Sequence, residues 1–553
     1  MNPMNAVESI VSVLKQRGFD YEASEGDTLL FRGHLLCQGQ PHAVALAVDV
    51  SGLTLPEFQL LNIPRQLKPI APHIGQDGFL CYAARGSIVL DIFDMPAQVL
   101  ACIDRAESVY AEVLAGKRAK DLEDEFFAYW GTSICLADID PYLSTPVEAI
   151  FYQNAKAKSK AEPLLVISNV PKQTKIKLEC LGMIPVPNRV ARVCRVKTNQ
   201  APMPMQDKWP PKSVEEVLRW QSYLGDGNCR RKLESHLINA LNADLNGAFC
   251  LIESPLISYG FAVSFNRNGG KPNSIYNRLA VRELIYQSQL QTFSIVRIDD
   301  VYLAQRNNPM NRNLHGLNIT LIGCGTIGGY LAELMVKAGV GTSTGRLTLV
   351  DNDSLMPQNV GRHRLGFNHI LQNKAEALAE ELTRSSPSLN ARPLPVDALQ
   401  AYLGKEDLII DATGEEALGH ALAHKYQGPD FKPILKVWIE GPGIAVRSLL
   451  TPVPDSACAR CLNDDQRTVL YPSTQEAIPL ELLGQGCESL YVPFPATVSV
   501  QAACLAMEHL SDWAMEQPSP RLRTKILNNH FTIATPDIDP LKRSTCPACA
   551  MVV

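Results

Sequence analysis

The run Asn318-Ile319-Thr320-Leu321-Ile322 leads without a break into Gly323-Cys324-Gly325-Thr326-Ile327-Gly328, and no other feature constrains the fold of this chain as tightly. A short apolar, β-branched run reads as a buried strand, and the helical pattern continuing to Gly339 requires a strand-to-helix turn made of glycines. A second strand, Arg346-Leu347-Thr348-Leu349-Val350, ends in Asp351, 23 residues beyond Gly328. Strand, glycine turn, helix, strand and acid are the parts of a parallel α/β nucleotide site. Gly323, Gly325 and Gly328 let main chain approach a phosphate, the helix N-terminus offers free N–H groups, and Asp351 is placed to hold ribose hydroxyls.

The residues downstream select among nucleotides. Asp351-Asn352-Asp353 is followed by Asn359 and Arg362, then by Lys374 on an expected helix, and a further strand, Asp407-Leu408-Ile409-Ile410, ends in Asp411-Ala412-Thr413. Cations on the phosphate side and a second strand-end acid suited to Mg²⁺ fit a triphosphate better than a dinucleotide. The D-x-D-x-x-x-x-x-N-x-x-R spacing, the later lysine and the strand ending Asp-Ala-Thr resemble the Rossmann-like adenylation domain shared by ubiquitin-activating enzymes and the ThiF/MoeB family. That resemblance implies ATP as substrate, with Asp351 on the ribose, Asn359, Arg362 and Lys374 on the phosphates, and Asp411 on Mg²⁺. It also implies an arginine upstream of the glycine turn, often donated across a homodimer; Arg306 is preferred to Arg312.

Cysteine is the second signal. There are 15, an odd number, in a 553-residue chain whose first residues show no basic-then-apolar leader. The expectation is therefore a cytoplasmic protein whose cysteines serve as ligands, nucleophiles or packing residues rather than as a disulfide framework. Cys458-Ala459-Arg460-Cys461 and Cys546-Pro547-Ala548-Cys549 are two C-x-x-C pairs. Each pair can present two thiolates from one tight turn, and together they complete a closed Cys₄ zinc shell of the structural kind.

Two further cysteines stand in unusual surroundings. Cys487 lies in Gly484-Gln485-Gly486-Cys487-Glu488-Ser489, ahead of Pro493, Pro495 and an apolar helix opening near Ala496. A thiol on such a stretch can meet an acyl adenylate, and in ubiquitin-activating relatives a cysteine before such a helix forms the thioester. Cys504, within that helix, reads as core. Cys81 lies in Pro72-His73-Ile74-Gly75-Gln76-Asp77-Gly78-Phe79-Leu80-Cys81, which resembles the active-site segment of ubiquitin-conjugating enzymes. The Asn that usually follows His-Pro there is missing, Ile74 standing after His73, so His73 either takes that polar role or braces the loop. Cys37, Cys102, Cys135, Cys180, Cys194, Cys229, Cys250 and Cys324 read as packing residues.

Organisation follows from texture. Around Cys81 the sequence predicts a helix over 7–17, strands at Leu29-Leu30-Phe31, 42–48, 58–61 and 87–93, and a long helix opened by Pro96: an α+β unit over 1–140. Residues 141–305 mix strand-like and helical runs, and the prolines at 185, 187, 202, 204, 210 and 211 are expected in loops; no motif assigns this linker or docking domain a chemistry. Residues 306–553 form the adenylation unit. Lys+Arg 52 against Asp+Glu 57, a net charge of −5, gives no electrostatic case for nucleic acid or anionic membrane as partner.

A conjugating-type domain ahead of an activating-type domain resembles the fused enzyme of bacterial CBASS anti-phage systems. That resemblance implies a relay: ATP adenylates the C-terminus of a cGAS/DncV-like nucleotidyltransferase, Cys487 and then Cys81 carry it as thioesters, and a target amine receives it. The alternatives are a ThiF/MoeB-type sulfur-carrier adenylyltransferase with a non-catalytic N-terminal domain, a non-catalytic interaction protein, and a nicotinamide-dependent dehydrogenase, for which Arg362, Lys374 and Asp411 would have no task.

Overall fold

The structure is a computed structural model describing residues 3–84, 86–88, 90–131, 133–156, 162–205, 209–243, 245–265, 278–308, 313–428, 431–479, 482–484 and 491–550; the side chains of 3–6, 188–191 and 278–280 are not described. It contains three sheets in chain order.

The first is an antiparallel meander, β1 (Asp20–Glu25), β2 (Thr28–Cys37), β3 (Gln40–Asp49) and β4 (Glu57–Leu60), each strand pairing with the next. Period-two alternation in β2 turns Leu29, Phe31, Leu35 and Cys37 inward. On that face lie α1 (Pro3–Gln16) and α2 (Met95–Leu114), whose Ile10, Leu14, Val99, Ile103 and Tyr110 complete the core. Of the strand expected over 87–93, the described residues 87, 88 and 90–93 form none. Phe93 N–H bonds to Asp91 Oδ1 and Asp91 N–H to Gln98 Oε1, so the chain turns here and leads into α2, leaving Phe93 81% exposed. Two short helices, α3 (Asp121–Asp124) and α4 (Phe126–Trp130), lead out.

The middle is a closed barrel of β5 (Ser133–Asp138), β6 (Glu148–Asn154), β7 (Leu164–Ser168), β8 (Met183–Lys197), β9 (Gly247–Glu253), β10 (Ser258–Ser264) and β11 (Leu290–Arg297), ordered β10-β11-β5-β7-β6-β8-β9. The helices α5 (Pro171–Cys180), α6 (Val214–Tyr223), α7 (Gly227–Asn242) and α8 (Arg278–Gln287) accompany it. Pro185 and Pro187, expected in a loop, lie inside β8. The strand pairs with β6 through residues 183–192 and with β9 only through 193–197, so both prolines fall where one edge needs no N–H donor. Cys180, taken as a packing residue, is exposed at the end of α5.

After α9 (Asp300–Gln305) comes the third sheet: β12 (Asn318–Ile322), β13 (Arg346–Val350), β14 (Ala391–Leu394), β15 (Leu408–Asp411), β16 (Ile434–Glu440), β17 (Ala445–Thr451) and β18 (Leu522–Ile526). The order is β14-β13-β12-β15-β16-β17-β18, parallel from β14 to β16 and antiparallel beyond. The helices are α10 (Thr326–Lys337), α11 (Lys374–Ser385), α12 (Glu416–Lys425) and α13 (Ala496–Ala514). Ile319, Leu321, Leu347, Leu349, Leu408 and Ile410 are fully buried, as parallel strands covered on both faces require. Because β13 and β15 flank β12 on opposite sides, the connections diverge at β12, and a crevice opens at its C-terminal end. Among the described residues no helix is long and apolar enough to cross a membrane.

Candidate functional site

At that end of β12 lies a cavity of 650 Å³. Its floor is the glycine turn. Gly323 takes φ +87°, and a Cβ there would meet the Thr413 N–H nitrogen at 2.9 Å; at Gly328 a Cβ would strike the Gly323 carbonyl oxygen at 1.8 Å. At Gly325, by contrast, a Cβ meets nothing within 4 Å, so this glycine keeps the cavity clear where α10 begins, with no side chain capping the helix N-terminus.

Asp351, Asn359, Arg362 and Lys374 all line the cavity. Asp351 Oδ2 accepts the Cys324 N–H at 2.7 Å, tying the end of β13 to the glycine turn. Burial raises the Asp351 carboxyl's pKa, opposed by the N–H groups of Asp353 and Cys324 and by Lys374. Lys374, capped into α11 behind Asn373, pairs with Asp353 at 2.8 Å. Asn359 accepts the Met356 N–H through Oδ1 at 3.0 Å. Three residues here were given no role by sequence, although Thr413 belongs to the quoted strand-end motif. His363 lines the cavity wall, its Nε2 bonded to the Cys324 carbonyl at 2.9 Å and its Nδ1 accepting the Leu365 N–H, and burial pulls its pKa down to about 4. This neutral histidine braces the glycine turn. Lys436 and Thr413 are the others, and both act on Asp411.

Asp411, expected to hold Mg²⁺, is fully buried at the end of β15 and is not among the residues lining this cavity. Its Oδ2 lies 2.6 Å from Lys436 Nζ on the neighbouring β16, and its Oδ1 accepts both the N–H and the hydroxyl of Thr413. A buried lone carboxylate is costly, and the lysine and threonine meet its charge. The acids that do face the cavity are Asp351, Asp353, Asp397 and Glu415. Arg306, just past α9, is exposed and does not line this cavity; Arg312 lies outside the described residues.

Cys487 also lies outside the described residues, but both arms of its segment are described. Leu483 and Tyr491 exchange main-chain hydrogen bonds of 3.0 and 2.9 Å. The outgoing arm runs back along the cavity, where Val492 and Phe494 form part of the wall before α13 opens at Ala496. Arg362 holds this arm: Nη1 donates to the Val492 carbonyl at 3.0 Å, and the guanidinium carbon sits 4.4 Å from the Phe494 ring centre. Cys504 is half-buried on α13.

Cys81 is exposed. Its N–H donates to the His73 carbonyl at 2.8 Å across a turn in which His73 takes φ +63°. The His73 ring lies between two carboxylates, its Nε2 2.8 Å from Asp121 and its Nδ1 2.9 Å from Glu125. Of the two roles open to His73, these contacts fit the brace. Two carboxylates hold its pKa above the ordinary histidine value and are themselves held low. Partial burial, with the nearby Glu125 charge, raises the Cys81 pKa, so the resting thiol is protonated.

Cys458, Cys461, Cys546 and Cys549 are all buried and bring their sulfurs within 4.8 Å of one another. Adjacent pairs measure 3.9, 3.8 and 3.4 Å. A tetrahedral shell with Zn–S near 2.3 Å places sulfurs about 3.8 Å apart, so the donor set fits a zinc ion. The Arg543 N–H points at Cys461 Sγ, 3.5 Å away.

With this geometry in hand, comparison with known proteins is decisive. The ThiF family matches residues 288–548, and prokaryotic E2 family B matches residues 14–137. The ATP-dependent ubiquitin transferase-like protein Cap2 of Pseudomonas aeruginosa is 44% identical over 557 aligned positions, spanning 99% of this chain and 100% of the relative. The chain belongs to the Cap2 family. It thus joins an E2-like unit and an E1-like unit in one polypeptide. The Cap2 protein of Escherichia coli is 26% identical over 82% of each chain. Among solved structures, that of E. coli MccB with ATP is 14% identical, with a TM-score of 0.33, covering 51% of this chain and 75% of that one.

Proposed function

We propose that this protein is an ATP-dependent ubiquitin-like transferase that activates the C-terminus of a partner protein and conjugates it to an amine. The observation that carries this reading is the cavity at the glycine turn, lined by Asp351, Asn359, Arg362 and Lys374 together with Val492 and Phe494, which follow Cys487 in sequence.

The partner's carboxylate attacks the α-phosphorus of ATP, giving an acyl adenylate and pyrophosphate. Gly325 and the free N–H groups of α10 admit the phosphates, Arg362 and Lys374 balance their charge, Asn359 orients them, and Asp351 holds the ribose. The Cys487 thiolate attacks the acyl carbon, the C–O bond breaks and AMP leaves. Cys81 then attacks the same carbon; the C–S bond to Cys487 breaks and that thiol is restored. An amine finally displaces Cys81, forming the amide.

Mg²⁺ is expected with the triphosphate. As it stands Asp411 offers it no open carboxylate, being bound to Lys436 and Thr413, and no step is assigned to the ion. Zinc fits the four-cysteine cluster, where it would staple the C-terminal tail to the segment after β17. The division into 1–140, 141–305 and 306–553, a homodimer in which Arg306 reaches the nucleotide of the other copy, a cGAS/DncV-like nucleotidyltransferase as acyl donor and a role in CBASS anti-phage defence complete the reading. They rest on the family resemblance.

Intact-mass measurement of the full chain after incubation with ATP, Mg²⁺ and such a partner tests it. Thiol-reducible adducts are expected on Cys487 and Cys81, with Cys81→Ser trapping the first and Cys487→Ser abolishing both. Product formation by the Cys81→Ser protein at the unsubstituted rate would instead favour the sulfur-carrier adenylyltransferase.

A further inference from the structure

The central barrel has no chemistry of its own in this reading, yet it reaches the Cys81 site through α4. Glu125, at the N-terminal cap of that helix, grips His73 twice: Oε2 accepts the His73 N–H at 3.0 Å, and Oε1 lies 2.9 Å from the ring Nδ1. The His73 carbonyl in turn receives the Cys81 N–H at 2.8 Å. One turn along, Tyr129 Oη lies 2.9 Å from Glu125 Oε2 and 3.1 Å from the Ala71 carbonyl, closing the bracket on the other side of the loop.

The neighbouring residues of the same helix belong to the barrel. Phe126 and Trp130 are buried in the core formed by Trp220, Tyr259 and Phe261, with stacked Phe126–Trp130 and Phe126–Trp220 rings at 5.3 and 5.9 Å. Trp130 Nε1 donates to the Gly260 carbonyl at 2.9 Å, and Trp209 Nε1 donates to the Tyr129 carbonyl at 2.7 Å. One five-residue helix therefore has an aromatic face locked into the barrel and a polar face that holds the loop carrying the thiol.

We propose that Glu125 is a positioning residue for Cys81, and that the central barrel sets its place through α4. This rests on the thioester reading of Cys81 and extends it: the middle of the chain is a scaffold that completes the conjugating site. Among the described residues, the other charged and titratable groups around Glu125 are His73, Asp121 and Tyr129, with Arg118 bridging Asp121 to Glu112 behind them. Among them Glu125 is the charge that bears on the Cys81 thiol.

The test uses the full chain carrying Glu125→Gln, with Trp209→Phe as the variant on the barrel side. Iodoacetamide is the probe, and the alkylation rate at Cys81 is read by peptide mass spectrometry across pH, with buried Cys37 and Cys102 of the same unit reporting unfolding. With Glu125→Gln, the midpoint of Cys81 alkylation is expected to move to lower pH while Cys37 and Cys102 stay protected. Acyl transfer onto Cys81 is expected to fall about tenfold, the effect of losing a charge-assisted hydrogen bond, while ATP–pyrophosphate exchange is unchanged. Trp209→Phe, which removes the donor to the Tyr129 carbonyl and keeps a smaller aromatic ring beside Phe126, Trp130 and Trp220, is expected to slow transfer by about threefold. An unshifted midpoint with unsubstituted transfer in Glu125→Gln overturns the proposal, and unsubstituted transfer in Trp209→Phe removes the barrel's part in it. Should the unsubstituted chain never load Cys81, the thioester reading fails by itself, and the alkylation midpoint still decides the role of Glu125.

Discussion

Arg362 Nη1 donates to the Val492 carbonyl at 3.0 Å, so one side chain joins the nucleotide cavity to the arm that leaves the Cys487 segment. The guanidinium also stacks over Phe494 at 4.4 Å. A planar, delocalised cation can keep that stack while turning N–H groups toward a phosphate, which a lysine ammonium cannot do.

Arg362→Ala is therefore expected to reduce partner-dependent ATP–pyrophosphate exchange by about a hundredfold, within the range seen when one preorganised donor is removed from a charge-stabilising site. Arg362→Lys should recover only part of the loss. Exchange within twofold of the unsubstituted protein in Arg362→Ala would remove this side chain from the phosphate site.

The Asp411–Lys436 pair makes a prediction about stability. Lys436→Met leaves a fully buried carboxylate with only Thr413 as partner and should cost about 3–5 kcal/mol, whereas Asp411→Asn combined with Lys436→Met should cost much less, because no charge is left unpaired. Hydrogen exchange in β15 and β16 reads this locally, which suits a chain with three sheets better than one global melting point. Equal losses in the single and double variants would contradict a charge pair.

Metal content follows from the four sulfurs. One zinc per chain is expected by elemental analysis, lost in Cys546→Ser and in Cys458→Ser. Stripping the metal with a chelator should lower the melting temperature of the adenylation unit more than that of the N-terminal unit, since the cluster ties a tail to the segment after β17 and touches neither of the other sheets. A fully folded protein containing no metal would defeat the assignment.

The histidines at the two ends of the chain should respond to acid in opposite senses. His363 has a folded pKa of about 4, below the ordinary value of 6.5, so the unfolded state binds the extra proton between those values. Its contribution is present above pH 6.5 and is lost as pH falls toward 4. Buried His509, pulled down to about 3, acts in the same sense. His73 is shifted the other way: its ion pairs contribute fully below the unfolded pKa, and that contribution is lost as pH rises through the folded value. Melting followed separately for the two units should show His363→Gln flattening the acid limb of the adenylation unit and His73→Gln flattening the alkaline limb of the N-terminal unit. Parallel pH profiles in those variants and in the unsubstituted protein would refute the assignments.

Much of this architecture is legible along the chain. β13 spans Arg346–Val350, as its apolar run indicates, and α13 opens at Ala496 after paired prolines. The strand expected at 87–93 failed for a local reason: Asp91 and Gln98 supply side-chain partners that compete for the N–H groups a sheet would need. The prolines of β8 misled for a non-local one. A proline is excluded from a strand only where its N–H must pair, and which strand edges lie open is settled by the barrel's order.

The sequence alone determined the glycine turn, the two C-x-x-C pairs and the alternating strands, because each depends on residues a few positions apart whose backbone angles and side-chain directions are coupled through the chain itself. Only the tertiary structure decided what those groups face. Lys436 meets Asp411 from 25 residues away, Glu125 meets His73 from 52, and Val492 meets Arg362 from 130. Charge and hydrogen bonding act through space, and the partner of a buried carboxylate or guanidinium is set by whichever strand or helix packs beside it.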